Sequence, residues 1–339
     1  MRALQITAPG ECRLVELEVP SIHEDQVLLR VATVGYCGSD LNTFRGLNPL
    51  VSYPRVPGHE LSGVVAEVGA SVTEWQIGEQ ALVFPYTECG ECAACLADRP
   101  NCCQHNQTLG VQREGALAEY IALPPDKLMR ADGLSFAELA LVEPLTVGFH
   151  AAARGKVGPD DRVLVFGAGA IGLGAIAGAC FRGARVMAVD IDDAKIEIAR
   201  ACGACETVNS SREPLDKRVA DWTSGHGANV VIEAVGVSQT FVAAIDLVSF
   251  AGRVVYIGYA KSPVEYDTKW FVMKELDIRG SRNALPSDFA DVIELLQSGR
   301  FPTDRVISHR GSLDQAPGLL QAWAESPREF TKIQIDLNA

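Results

Sequence analysis

Five of the ten cysteines lie between Pro85 and Cys103, in the stretch PYTECGECAACLADRPNCC. Cys89, Cys92 and Cys95 recur as C-x2-C-x2-C, and the adjacent Cys102 and Cys103 follow after a short loop. Loops this short bring thiolates to one point at little closure cost, and four thiolates around one Zn2+ make a closed tetrahedral structural site. A redox disulfide pair and an unloaded thiol cluster are the competing readings. Cys102 and Cys103 cannot both face one metal, and spacing alone does not choose between them. Such a closed site would brace a lobe and perform no chemistry.

A second set of donors is scattered. Cys37-Gly38-Ser39-Asp40 ends an expected strand, Pro57-Gly58-His59-Glu60 comes some twenty residues later, and Glu143-Pro144 stands where the chain changes character. Each alone is unremarkable, because a lone Cys or His is more often simply packed. Together they supply a soft thiolate, an imidazole and carboxylates. Three protein ligands plus one water is the composition of a catalytic zinc site.

A third constellation is Gly167-Ala168-Gly169-Ala170-Ile171-Gly172, which fits G-x-G-x-x-G. It follows the apolar run RVLVFG and opens a helical segment. Gly167 permits the tight turn, Gly169 lets the main chain approach a pyrophosphate, and Gly172 lets helix and strand pack closely. The helix start at Ala170 and Ile171 aims its free N–H groups at the phosphates. Asp190 closes the next strand, where its carboxylate can accept from ribose hydroxyls. It would repel a 2′-phosphate, and Ile191 and Asp192 rather than an Arg follow it, so NAD is favoured over NADP.

These residues need elements to position them. Gln26–Val34, Leu61–Gly69, Glu79–Pro85 and Ala118–Pro124 are rich in β-branched residues and edged by turn formers, which suggests a barrel-like β-rich lobe. Near residue 150 the pattern changes. Arg162–Gly167, Arg185–Asp190, Val230–Val235 and Arg253–Gly258 are short, nearly continuous apolar runs typical of buried parallel strands. Asp192–Gly203 and Ser238–Phe250 read as helices between them, and Ser287–Gly299 as a further helix. Alternating β and α elements imply a doubly wound sheet, so the fold class is α/β.

Composition narrows the field. At 339 residues, 47% apolar and 22% charged, the chain suits a globular protein of two domains. The net charge of −13 argues against nucleic acid or an anionic membrane as partner. The charge-free run Val163–Phe181 is long enough to suggest a membrane span, but five of its nineteen residues are glycines, and the dinucleotide motif accounts for it as one strand plus one buried helix. The first twenty residues hold no long apolar run of a secretory signal, so a cytoplasmic location with reduced thiols is expected.

The combination of CGSD, GHE, the cysteine lobe, EP ahead of the nucleotide segment, and GAGAIG followed by Asp190 resembles the zinc-dependent medium-chain dehydrogenase/reductase family over essentially the whole chain. The GHE-plus-EP pattern is similar to its polyol, threonine and sugar-acid dehydrogenases. Tyr53–Glu60 and Gly280–Phe289 look most like hexonate dehydrogenases. The resemblance implies a GroES-like β-rich catalytic domain over 1–146, a Rossmann nucleotide-binding domain over 147–284 inserted into it, and a return to the catalytic domain over 285–339, with substrate in the cleft between domains. It implies two Zn2+ per chain: a structural ion held by Cys89, Cys92, Cys95 and Cys103, and a catalytic ion held by Cys37, His59 and Glu60, with Glu143 beside the open position or exchanging with Glu60. Asp40 would hold the second ring nitrogen of His59. Relatives commonly carry a His three residues after Ser39, ending a proton relay. Here it is Asn42, which cannot titrate.

The activity so implied is NAD-dependent oxidation of a secondary alcohol of a sugar acid or polyol to the ketone, with Ser39 receiving the alcohol proton. Neutral polyols and threonine are the rival substrates. A dinucleotide-binding redox sensor without turnover is the rival class, and the presence of Cys37, His59, Glu60, Glu143 and Ser39 speaks against it. Arg282, in GSRNALP, and Arg113, in GVQREGALAEY, are the candidate partners of a substrate carboxylate. Dimers and tetramers both occur in such families, so a homo-oligomer is expected.

Overall fold

The computed structural model describes residues 1–337. The chain forms two compact units, Met1–Glu143 with the chain from Thr303 onward, and Pro144–Pro302.

The first unit is built on one long strand. Val27–Tyr36 is buried at every position except Arg30. One edge pairs antiparallel with Glu60–Val68 along almost its whole length. The other edge is shared. Tyr120–Leu123 pairs with its first half, and Lys332–Asp336, at the far end of the sequence, pairs with its last four residues. Gln80–Val83, Leu128–Met129 and Ile307–Ser312 complete the sheet. Leu4, Leu29, Val31, Val34, Ile333 and Ile335 are fully buried in its core. Arg2–Ala8 and Glu11–Glu16 form a separate hairpin that the sequence pattern did not single out.

The second unit holds six parallel strands. Along the sheet they run Glu206–Asn209, Arg185–Asp190, Arg162–Phe166, Ala228–Glu233, Val248–Tyr256, Asp277–Gly280. Numbered in chain order this is 3-2-1-4-5-6, the doubly wound dinucleotide order, whose switch point falls between Arg162–Phe166 and Ala228–Glu233. Leu164, Met187, Val231 and Val254 are fully buried, as continuous apolar strands require. The charge-free run becomes most of one strand, the glycine turn and the helix Ala170–Phe181. No helix among the described residues is long and apolar enough to cross a membrane.

Two boundaries differ from the sequence reading. The helix Pro286–Gln297 belongs to the second unit, and the chain returns to the first at Thr303 rather than near 285. A buried hydrogen bond between His150 Nδ1 and Asp288 at 2.8 Å and an ion pair between Arg182 and Asp291 at 3.1 Å tie this helix to its own unit. The helix expected to reach Phe250 stops at Leu247, and Val248 begins a strand. Lys274 causes part of that stop. Its buried ammonium donates to the carbonyl oxygens of Ile245, Asp246 and Val248, each at 2.9 Å. A cation there satisfies the carbonyls a helix end leaves unpaired and opposes the helix dipole.

Lys274→Met would strip those carbonyls of their donor. We expect a loss of about 1–3 kcal/mol in the stability of the second unit, measured as a lower urea or thermal midpoint. An unchanged midpoint would show that water takes over the three bonds.

Candidate functional site

Strand register assembles the first cluster. Gly35 pairs with Glu60, so the end of Val27–Tyr36 and the start of Glu60–Val68 lie side by side. Cys37 follows directly as the cap of the short helix Gly38–Phe44, and His59 precedes Glu60. Cys37, His59 and Glu60 each bring one donor atom within 4.8 Å of the others, and His59 and Glu60 are buried. Asp40, wholly buried, accepts from the main-chain N–H of Cys37 at 2.8 Å and of Gly58 at 3.2 Å. It thereby ties together the two segments that carry the donors. The expected hydrogen bond from the His59 ring to Asp40 is not formed. Both carboxylate oxygens serve the main chain, and His59 Nδ1 is buried without a hydrogen-bond partner.

Two further residues at the cluster carried no sequence signal of their role. Lys332 donates to both carboxylate oxygens of Glu60, at 2.7 and 2.6 Å, and to the Tyr36 carbonyl at 3.1 Å. Nothing in KIQID marks that lysine. Only the pairing of Lys332–Asp336 with the end of Val27–Tyr36 brings it there. Tyr86 donates its hydroxyl to Glu143, which is buried but stands outside the three-donor group. Tyr86 lies inside the quoted cysteine stretch, where only the thiols drew attention. Ser39 Oγ is buried without a hydrogen-bond partner, and Asn42 is exposed.

The electrostatics favour a cation. Cys37, Asp40, Glu60 and Glu143 are acidic groups gathered around two bases, His59 and Lys332. Burial raises the carboxyl pKa of both Asp40 and Glu143. Burial alone would depress the His59 imidazole, but Cys37, Glu143 and Asp40 outweigh it and raise it well above the ordinary histidine value. Likewise Glu60 and Cys37 outweigh the burial of Lys332 and raise its ammonium. A surplus of buried acidic donors of mixed N, O and S type, with a partnerless imidazole nitrogen among them, fits a divalent ion of zinc type.

The second cluster is made wholly of sulfur. Cys92 Sγ lies 3.5 Å from Cys95 Sγ and 3.8 Å from Cys103 Sγ, and Cys103 Sγ lies 3.6 Å from Cys89 Sγ. Zinc–thiolate bonds of about 2.3 Å give a tetrahedron with edges near ~3.8 Å, so the spacing fits one enclosed ion. The four thiols are free, with no disulfide among them. Main-chain N–H groups of Cys89 and His105 donate to Cys103 Sγ, and that of Cys92 to Cys89 Sγ, which steadies the sulfurs. Cys102 Sγ instead faces the Arg99 guanidinium at 3.6 Å, leaving the inward place to its neighbour.

In the second unit, Gly167 turns the chain at φ +93° directly after its strand. A Cβ on Gly172 would stand 2.0 Å from the Gly167 carbonyl oxygen, whereas one on Gly169 would meet nothing within 4 Å. The first position closes the turn on the helix, and the second leaves space at the helix start for a ligand. Asp190 is half-buried and already bonded to the main chain. It accepts from Ala168 N at 2.7 Å, Ile191 N at 2.7 Å and Asp192 N at 3.1 Å. Those bonds fix its carboxylate beside the glycine turn, as a dinucleotide cradle at the switch point requires. Arg282 is exposed between the last strand of this sheet and the helix Pro286–Gln297, while Arg113 is half-buried in the first unit.

The comparisons with known proteins agree with this architecture. Residues 23–133 match the alcohol dehydrogenase GroES-like domain, and 170–298 match the zinc-binding dehydrogenase domain. The chain is 34% identical over 310 residues to L-galactonate-5-dehydrogenase of Escherichia coli K12, covering 91% of each. It is 31% identical to a sorbitol dehydrogenase of Bacillus subtilis, covering 99% of this chain and 97% of that one. The crystal structure of an alcohol dehydrogenase from Escherichia coli CFT073 in complex with NADH superposes with a TM-score of 0.92 at 29% identity, covering 99% of both chains. The chain therefore belongs to the zinc-type alcohol dehydrogenases of the medium-chain family, oxidoreductases that act on CH–OH groups.

Proposed function

We propose that this enzyme oxidises a secondary alcohol of a sugar acid, such as L-galactonate, to the ketone, with NAD as the cofactor and with a structural and a catalytic zinc in each chain. The observation that carries this reading is the convergence of Cys37, His59 and Glu60 beside the unpartnered Ser39 hydroxyl. Its relatives include sugar-acid and polyol dehydrogenases, which supports the substrate class. A neutral polyol is the second reading, favoured by the same set of relatives.

Cys37, His59 and Glu60 would hold the catalytic ion, and Cys89, Cys92, Cys95 and Cys103 the structural one. When bound, Zn2+ acts as a Lewis acid toward the alcohol, and NAD accepts the hydride. The remaining work falls to side chains. Ser39 Oγ, buried and not engaged elsewhere, would receive the alcohol proton. Asp40 holds the Cys37 and Gly58 segments in register. Lys332 offsets the charge of Glu60 and fixes its orientation, and the Tyr86 hydroxyl orients Glu143 through a hydrogen bond. Gly167, Gly169 and the first turn of Ala170–Phe181 would receive the pyrophosphate, and Asp190 the ribose.

Incubating the zinc-loaded protein with NAD+ and a panel of hexonates and polyols, and following NADH absorbance, tests the activity directly. Turnover of hexonates is expected, and a protein inert toward the whole panel would overturn the reading. The two metal sites should separate under mutation. Cys37→Ser is expected to lower kcat/KM roughly hundredfold or more while leaving a folded protein that still binds NADH. Cys95→Ser should instead lower the unfolding temperature and the zinc content. Near-normal activity of Cys37→Ser would remove it from the metal site.

Cofactor choice is expected to rest on Asp190. In Asp190→Ala, a ribose hydrogen bond and a repulsion against the 2′-phosphate are lost together, so NAD affinity should fall more than NADP affinity. A wild-type enzyme that prefers NADP+ in the same assay would refute the assignment.

A further inference from the structure

We propose that Arg113 is the cation that receives the anionic group of the substrate beside the Cys37–His59–Glu60 cluster. This rests on the reading that the cluster oxidises a sugar-type alcohol, and it commits that reading to a substrate with a negatively charged end.

The main chain fixes where Arg113 stands. Its loop lies directly on the segment leading to His59. Gly115 N donates to the Val56 carbonyl at 2.8 Å, Ala116 N to that of Gly58 at 3.0 Å, and Leu117 N to that of Pro57 at 3.0 Å. The approach is so close that a Cβ on Gly110 would stand 2.6 Å from Gly58 N, and one on Gly115 2.3 Å from the Pro57 oxygen. Arg113 sits between these two glycines. On its other side, Arg113 Nη2 makes a long bond of 3.5 Å to the Pro85 carbonyl. The next residue, Tyr86, donates to Glu143. Arg113 therefore bridges the segment carrying His59 and the segment carrying Tyr86, all within one unit of the fold.

Its guanidinium is left wanting partners. Nε is buried and has none, and the bond to Pro85 is at the outer limit for a hydrogen bond. The adjacent acid cannot help. Glu114 gives one carboxylate oxygen to Arg55 at 3.0 Å and the other to Val56 N at 2.7 Å. Other partly buried arginines do have carboxylates, as Arg55 has Glu114 and Arg253 has Asp161. Burial lowers the Arg113 pKa from the usual arginine value, the mark of a cation short of compensation. A half-buried guanidinium in this state is stabilised by a planar anion that accepts two parallel N–H bonds. The protein's net charge of −13 repels anions at long range, so an anionic substrate needs such a local cation. Arg282, by contrast, is exposed and belongs to the other unit. The carboxylate of a sugar acid supplies the required acceptor pair, and the phosphate of a polyol phosphate shares that chemistry.

The test uses the zinc-loaded enzyme with NAD+ and three substrates: a hexonate, the uncharged polyol of the same stereochemistry, and its terminal phosphate ester. In Arg113→Met, which keeps the apolar stem, the kcat/KM ratio of hexonate to polyol should fall about tenfold to a hundredfold, and Arg113→Lys should restore part of it. If the phosphate ester is the anion whose advantage collapses, the same residue is confirmed with phosphate as the group it reads. Equal losses for charged and neutral substrates, or a wild-type enzyme with no preference for either anion, overturn the proposal while the dehydrogenase reading stands. If the wild type oxidises nothing in the panel, that reading falls. Calorimetric titration of the hexonate into the zinc-loaded wild type and Arg113→Met then decides on Arg113. Binding at least about tenfold weaker in the variant upholds it, and equal or absent binding overturns it. Should Arg113→Met not fold, Arg113→Gln serves in both measurements.

Discussion

A carboxylate buried away from water must be neutralised, and in the first unit that requirement falls on Glu60. Its side chain is almost wholly inaccessible, and among the described residues the cation bonded to it is Lys332, 272 residues later in the chain. Removing one partner of such a pair commonly costs about 3–5 kcal/mol, because the charge that remains has no water to turn to. The strand that delivers Lys332 is the one that pairs with the end of Val27–Tyr36. The same few residues of that central strand therefore set Glu60 through one edge, its counter-ion through the other, and Cys37 through their own continuation. The segment Lys332–Asp336 is thus part of the cluster, which lacks its counter-ion until that strand has paired.

The two metal-type clusters show opposite uses of one chemistry. Around Cys89, Cys92, Cys95 and Cys103, four sulfurs gather at spacings that suit one four-coordinate ion, and short-range main-chain N–H bonds steady them. That arrangement is local, lying within fifteen residues. Around Cys37, His59 and Glu60 the donors are of three types and come from separate segments. Among their neighbours, Asp40 accepts from two main-chain N–H groups, Glu143 accepts from Tyr86, Lys332 donates to Glu60, and the buried Ser39 hydroxyl has no hydrogen-bond partner. A closed local site resists exchange and braces, whereas an open one assembled from distant segments can be tuned by each of them.

The second unit divides its work differently. Its sheet order places the glycine turn at the switch point, and Asp190 spends its hydrogen bonds on Ala168, Ile191 and Asp192 before any ligand arrives. The glycine turn and Asp190 are thus organised by the main chain, which is why short motifs describe them so well.

What the sequence determined by itself was everything whose physics is local. The G-x-G-x-x-G turn, the helix that follows it and the strand ending on Asp190 depend on glycine geometry and apolar runs, and all lie where the pattern puts them. The cysteine spacing likewise contains its own closure. Tertiary structure alone decided the rest. Cys103 faces the cluster while Cys102 faces Arg99. Asp40 serves two main-chain N–H groups and leaves Nδ1 of His59 without a partner. The helix Pro286–Gln297 stays with the nucleotide unit through His150 and Arg182, partners that no local pattern announces. Lys332 meets Glu60 through a strand pairing between the two ends of the chain. Strand register and the neutralisation of buried charge are long-range conditions, satisfied between residues far apart in sequence, so they become visible only when the chain is folded.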